Sequence, residues 1–136
     1  MDREILFRGK VADEPDEWVY GYLIDEKTIF QKERHKQSKC CGYGCFDIKQ
    51  YTIGQYTGLT DKNGTKIFEG DIIKIPEDWD KYGINAGELF VVYFRDGGFR
   101  LKPKIYKDCR GFWLEDDGEF EIISNIHDNP KLLEGL

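Results

Sequence analysis

The residues best suited to chemistry are the cysteines, because three of the four crowd into one stretch. Cys40, Cys41 and Cys45 follow His35, while Cys109 lies far along the chain. Zinc takes four tetrahedral thiolate or imidazole ligands, commonly offered as cysteine pairs two to four residues apart. Cys41 and Cys45 have a workable spacing, and His35 and Cys109 would complete a set of four. The second Cys-x-x-Cys of a zinc ribbon is missing. Reduced free thiols are therefore the expected state, and no cofactor is expected. Carboxylates offer a second chemistry: Glu69 and Asp71 flank Gly70, with Asp61 a short way upstream. Such groups bind divalent ions or work as acid and base. Turn chemistry alone also explains Asp beside Gly, so Asp71 is expected to cap a turn and Glu69 to be solvated. Glu115, Asp116, Asp117 and Glu119 around Gly118 read as a solvated hairpin tip.

Nucleophilic catalysis finds little material. Ser38 and Ser124 lie outside any Gly-x-Ser-x-Gly elbow, His127 sits beside a predicted helix cap, and no glycine-rich phosphate loop occurs. The expectation is a chain that is not an enzyme. One cationic stretch remains. Between residues 95 and 110, Arg95, Arg100, Lys102, Lys104, Lys107 and Arg110 face only Asp96 and Asp108, with Phe99 and Tyr106 interleaved and Phe112 and Trp113 adjacent. Cations with aromatic platforms are how single-strand binders hold nucleic acid. Arg95, Arg100, Lys102, Lys104 and Lys107 are thus the candidates for a nucleic-acid face, the alternative being a solvated face of an antiparallel sheet.

The rest of the composition limits these readings. A formal net charge of −6 is a poor match to nonspecific phosphate binding, which rests on Lys and Arg releasing counterions. With 136 residues the chain suits one domain with a real core. Aromatics at 15% argue against disorder despite 34% charged residues, and 15 Gly suit many short strands and turns. Residues 1–4 run into a short mixed strand without an apolar leader, and no stretch approaches the ~20 apolar residues of a membrane span. The expected location is the cytoplasm.

Strand signals run through most of the chain. Residues 5–11 read as a first strand, residues 13–16 as a polar turn containing Pro15, and residues 18–24 as the returning strand, with a short third strand at 28–31. Residues 32–45 lack any period and read as a long loop. Residues 46–51 alternate and lead into a dense segment at 53–75. There, Asp61-Lys62-Asn63-Gly64 is a tight turn and Glu69-Gly70-Asp71 a second break before the β-branched run Ile72, Ile73 and Ile75. Leu89–Phe94 is the most apolar run, Arg95–Gly98 a hairpin turn, and Phe99–Lys102 a return with Phe99 and Leu101 inward. Residues 112–114 and 120–126 close the sheet. Asn129, Pro130 and Gly135 are the cap, first position and stop of a short helix.

Several of these segments together resemble the YopX family of small proteins encoded by bacteriophages and prophages. Phe7-Arg8-Gly9-Lys10 and Glu17-Trp18-Val19-Tyr20-Gly21 match its opening strands. Ile53-Gly54-Gln55-Tyr56-Thr57-Gly58-Leu59 is similar to its Val-Gly-Gln-Tyr-Thr-Gly-Leu, and residues 121–134 fill its closing Glu-x-Ile-x-x-x-Ile-x-x-Asn-Pro-x-Leu-Leu-Glu pattern. Gly54, Gln55, Tyr56, Gly58, Leu59, Gly64, Gly70 and Asp71 stand as the structural signature. The cysteine cluster departs from the family pattern. The resemblance implies a phage or prophage accessory protein of no assigned biochemical role. The expected fold is mostly β: an antiparallel sheet with an SH3-like small barrel around 53–102, an N-terminal β-hairpin and one short C-terminal helix. A single domain is expected, with residues 1–52 as an N-terminal β subdomain and 53–136 as the core. The expected mode of action is binding or assembly, through a protein partner or self-association.

Overall fold

Eleven antiparallel strands form among the described residues, which in this computed structural model are 4–31, 44–74, 89–103, 112–114 and 120–133. The fold is mostly β, as the alternation of β-branched and aromatic residues dictates. The chain divides into two compact units, Met1–Tyr56 and Thr57–Leu136.

In the first unit, β1 (Phe7–Val11), β2 (Glu14–Asp25), β3 (Thr28–Phe30) and β4 (Cys45–Asp47) pair in sequence order. The start of β5 (Gly54–Thr60) adds to the other side of β1 through Phe7↔Gln55 and Arg8↔Gly54. The β1–β2 turn is tighter than the sequence implied. It uses only Ala12 and Asp13, since Val11 already faces Glu14 while Lys10 faces Trp18. Pro15, Asp16 and Glu17 bulge from the ladder between those pairs, a place where a residue without an N–H is tolerated. At the β2–β3 turn the Lys27 N–H and then the Thr28 hydroxyl hold the Asp25 carboxyl below its usual range.

After β4 the sheet curls. Ile48 bridges Val11, while the Lys49 N–H donates to the Lys10 carbonyl and the Ala12 N–H to that of Asp47. Residues 46–51 were expected to alternate throughout; instead a 3-10 turn at Gln50–Thr52 reverses the chain. Thr52, fully buried, fastens that turn: its hydroxyl accepts from the Lys10 N–H and donates to the Lys49 carbonyl. Val11, Val19, Ile29, Phe46 and Ile48 form this unit's core.

The second unit holds its own core of Ile67, Ile73, Phe90, Val92, Leu101 and Phe120. The end of β5 pairs with β6 (Lys66–Phe68), while β7 (Asp71–Lys74), β8 (Leu89–Arg95), β9 (Gly98–Pro103), β10 (Phe112–Trp113) and β11 (Glu121–Asn125) make a sheet of order β10-β9-β8-β7-β11. The SH3-like barrel expected over 53–102 is not closed. β7 pairs with β8 on one side and β11 on the other, so neither edge is left for β6 to close against. The β8–β9 hairpin forms as read, through a two-residue turn with Asp96 at φ 53 and Gly97 at φ 82, the left-handed pair that matches strand twist.

The C-terminal helix is only a 3-10 turn, Pro130–Leu133. The Leu132 N–H reaches the Asn129 carbonyl. One such bond does not repay the ordering of a helical nucleus. Gly135 lies outside the described residues.

Gly64 and Gly70 stand at φ 81 and φ 94. A valine there meets the clash that closes the left-handed region to branched side chains. Gly64→Val and Gly70→Val are each expected to lower stability by about 2 kcal/mol. Thermal melts followed by circular dichroism check this, and parent-like melting of both variants would refute the turn geometry.

Candidate functional site

The signature segment of the second unit is built from backbone N–H groups and the carboxylates that receive them. Asp61, buried, closes the β5–β6 hairpin as a type I turn followed by a left-handed glycine: the Gly64 N–H donates to the Asp61 carbonyl at 3.0 Å and the Asp61 N–H to Thr65. Its Oδ1 accepts from the N–H groups of Asn63 and Thr65, both at 2.9 Å. Its Oδ2 accepts from the Ile122 N–H at 3.1 Å, across to β11. Lys62 adds an N–H bond to the Phe120 carbonyl and an ion pair with Glu121 at 3.2 Å. Asp71, equally buried, accepts the Phe68 N–H at 2.7 Å and so caps the turn containing Gly70. The Gly70 N–H in turn donates to the Val92 carbonyl.

These carboxylates organise loops. Gly58, at φ 92, kinks β5 while the Thr57 hydroxyl bonds Ile67, and Leu59 packs on the second core. In the first unit Gly54 and Tyr56 are buried and Gln55 half-buried beside β1.

Of the metal candidates, Cys45 lies half-buried on β4 opposite Phe30, and His35, Cys41 and Cys109 lie outside the described residues, as does Cys40. Among the described residues no three metal-ligating side chains gather. Of the basic candidates, Arg95, Arg100 and Lys102 sit on the β8–β9 hairpin, and Lys104 and Lys107 lie outside the described residues. Arg100 is tied down, with its side chain only 13% exposed: Nε donates to the Arg95 carbonyl at 3.3 Å and Nη2 stands 3.8 Å from Asp96. Arg95 is exposed and also shares Asp96, at 3.8 Å. On the opposite face of the same hairpin, Phe94 is 52% exposed and edge-on to Phe99, with ring centroids 5.3 Å apart.

A second cation–aromatic cluster lies in the first unit. The register Arg8↔Tyr20, Lys10↔Trp18 and Tyr22↔Phe30 puts these six residues on one face of the sheet, opposite the core face of Val19 and Gly21. The Arg8 guanidinium lies 4.7 Å from the centre of the Trp18 ring and the Lys10 ammonium 5.6 Å. Tyr20 and Tyr22 are 44% and 50% exposed. Chemically this is a row of rings bordered by cations.

The model for the YopX protein family matches residues 6–134. The chain belongs to the YopX family. The YopX fold seen here is also similar to the crystal structure of protein EF1440 from Enterococcus faecalis, with a TM-score of 0.61 and 26% identity over 98% of this chain and 100% of that one. No curated protein matches the chain.

Sequence reading placed the YopX turns correctly but missed two partners. Nothing local marks Ile122 as the third donor to Asp61, because the two lie 61 residues apart. Asn125 was not singled out, although its side chain ends β11 by accepting the N–H groups of His127 and Asp128. Its Asn-x-His-Asp context is a recognisable side-chain turn signal. The cations on Trp18 were also missed, and only the two-residue alternation in Phe7–Lys10 and Trp18–Tyr22 could have suggested them.

Proposed function

We propose that this YopX protein is a non-catalytic binding and assembly module of a phage or prophage, acting in the host cytoplasm by self-association. The observation that carries the reading is Phe94, a large ring more than half exposed yet held edge-on to Phe99 at the tip of a two-residue hairpin. A pre-ordered, exposed aromatic is the usual anchor of a protein interface, since little side-chain entropy is lost on docking. The non-catalytic part is supported by Asp61 and Asp71, which are buried and committed to backbone N–H groups of their own turns. Among the described residues no helix is long and apolar enough to cross a membrane.

Sedimentation equilibrium of the full chain tests the proposal. The parent is expected to run as an oligomer at micromolar concentration, and Phe94→Ser, with an unchanged circular dichroism spectrum, as a monomer. A parent that stays monomeric removes self-association.

A further inference from the structure

We propose that the Tyr20–Tyr22 face of the first unit is a stacking platform for a short single-stranded nucleic acid, with Lys10 receiving the phosphate. This goes beyond the assembly reading, which rests on Phe94 in the other unit. The two tyrosines stand on one face of β2, two residues apart. Along a strand that separation is roughly 6.7 Å, about one extended nucleotide. Bases stack on aromatic rings whatever their sequence, because every base has a π-face.

The neighbours across the sheet complete the chemistry. Arg8 stands opposite Tyr20, Lys10 opposite Trp18, and Phe30 opposite Tyr22. Trp18 underlies both cations and fixes them near the row of rings. Lys10 is half-buried, its ammonium set at the border of the face, while Arg8 is buried and adds positive charge beside the platform. Tyrosine with lysine suits a polar, anionic, flat ligand better than it suits an aliphatic protein surface.

The boundaries of the face set the size of the ligand. Beyond Trp18 come Asp16 in the bulge and Glu14 opposite Val11, and at the other end Asp25 of β2 and Asp47 of β4 both stand opposite Thr28. Both ends repel phosphates, so the footprint is about two stacked bases and the cationic border is short. A duplex hides its base faces and spreads phosphates onto both acidic ends. The platform therefore selects single strands.

The test is fluorescence anisotropy of labelled oligo-dT, oligo-rU and a DNA duplex, titrated with the full chain at about 50 and about 200 mM salt. Single strands are expected to bind and the duplex to bind more weakly. Tyr20→Ala and Tyr22→Ala should each weaken single-strand binding roughly 5- to 150-fold, while Tyr20→Phe and Tyr22→Phe retain it, because the ring and not the hydroxyl stacks. Lys10→Gln should lower the salt slope by about one counterion. The dT and rU arms separate a DNA ligand from an RNA ligand, either of which upholds the proposal.

No single-strand binding at the lower salt overturns it. So do Ala variants with parent-like melts that bind as the parent does, and so does binding lost with Lys102→Ala but kept in both Ala variants. If the two Ala variants instead change only the sedimentation mass, the face is a protein contact and the proposal fails, whatever Phe94→Ser does.

Discussion

Asp61→Ala is expected to destabilise the second unit by about 3 kcal/mol, since one carboxylate serves three backbone N–H groups. Removing it strands the donors of Asn63, Thr65 and Ile122. Each buried donor left without a partner costs about 1 to 3 kcal/mol, and part of that is recovered by water at the turn's exposed side. Asp61→Asn should cost less, about 1 to 2 kcal/mol, because one acceptor remains while the amide turns a donor toward other donors. The loss reaches beyond the hairpin. The Ile122 N–H of β11 and the carbonyl of Phe120, just before that strand, are occupied by the Asp61–Lys62 turn on the side away from β7. An uncovered strand edge pairs with other chains, so the alanine variant should also aggregate on heating. Urea unfolding followed by far-ultraviolet circular dichroism measures the main effect. A midpoint equal to the parent's would mean that the Asp61 carboxylate does not hold these donors in solution.

Much of this arrangement was legible because it is local. Asp61-Lys62-Asn63-Gly64 and Arg95–Gly98 announce turns through residues that accept left-handed backbone, and Ile72-Ile73 and Leu89–Phe94 announce buried strands through β-branched and aromatic runs. What failed was non-local. β11 takes the open side of β7 after some fifty intervening residues, and that pairing, which leaves the barrel open, has no marker in either strand. The C-terminal helix failed for an energetic reason: cap, proline and stop signals describe where a helix would begin and end, not whether it is long enough to form. The candidate sites divide in the same way. Asp71 as a turn cap followed from its neighbours, whereas the tyrosine platform required the β1–β2 register. That register depends on the bulge at Pro15–Glu17, and no hydrophobic period reveals it.

Gly21→Ala is expected to cost about 3 kcal/mol, and the reason is space rather than backbone conformation. A Cβ built on Gly21 would stand 2.0 Å from the Phe30 carbonyl oxygen and 2.8 Å from its carbon. Both are backbone atoms of β3, so relief requires the β2 and β3 chains to move apart. Gly64 is the opposite case: nothing lies within 4 Å of its Cβ position, and only φ 81 resists a side chain. Alanine at 64 should therefore cost about 1 kcal/mol, the penalty of a left-handed L-residue in open space. The two glycines thus separate steric from conformational causes by a measured difference in melting temperature. The Gly21 variant bears on function as well, because Tyr20 and Tyr22 flank the strained position, and Tyr22 pairs with Phe30 itself. Prying β2 from β3 tilts the platform, so Gly21→Ala should weaken single-strand binding along with stability. If instead Gly21→Ala melts with Gly64→Ala, the close approach of the two strands does not exist, and the face built on it loses its geometry.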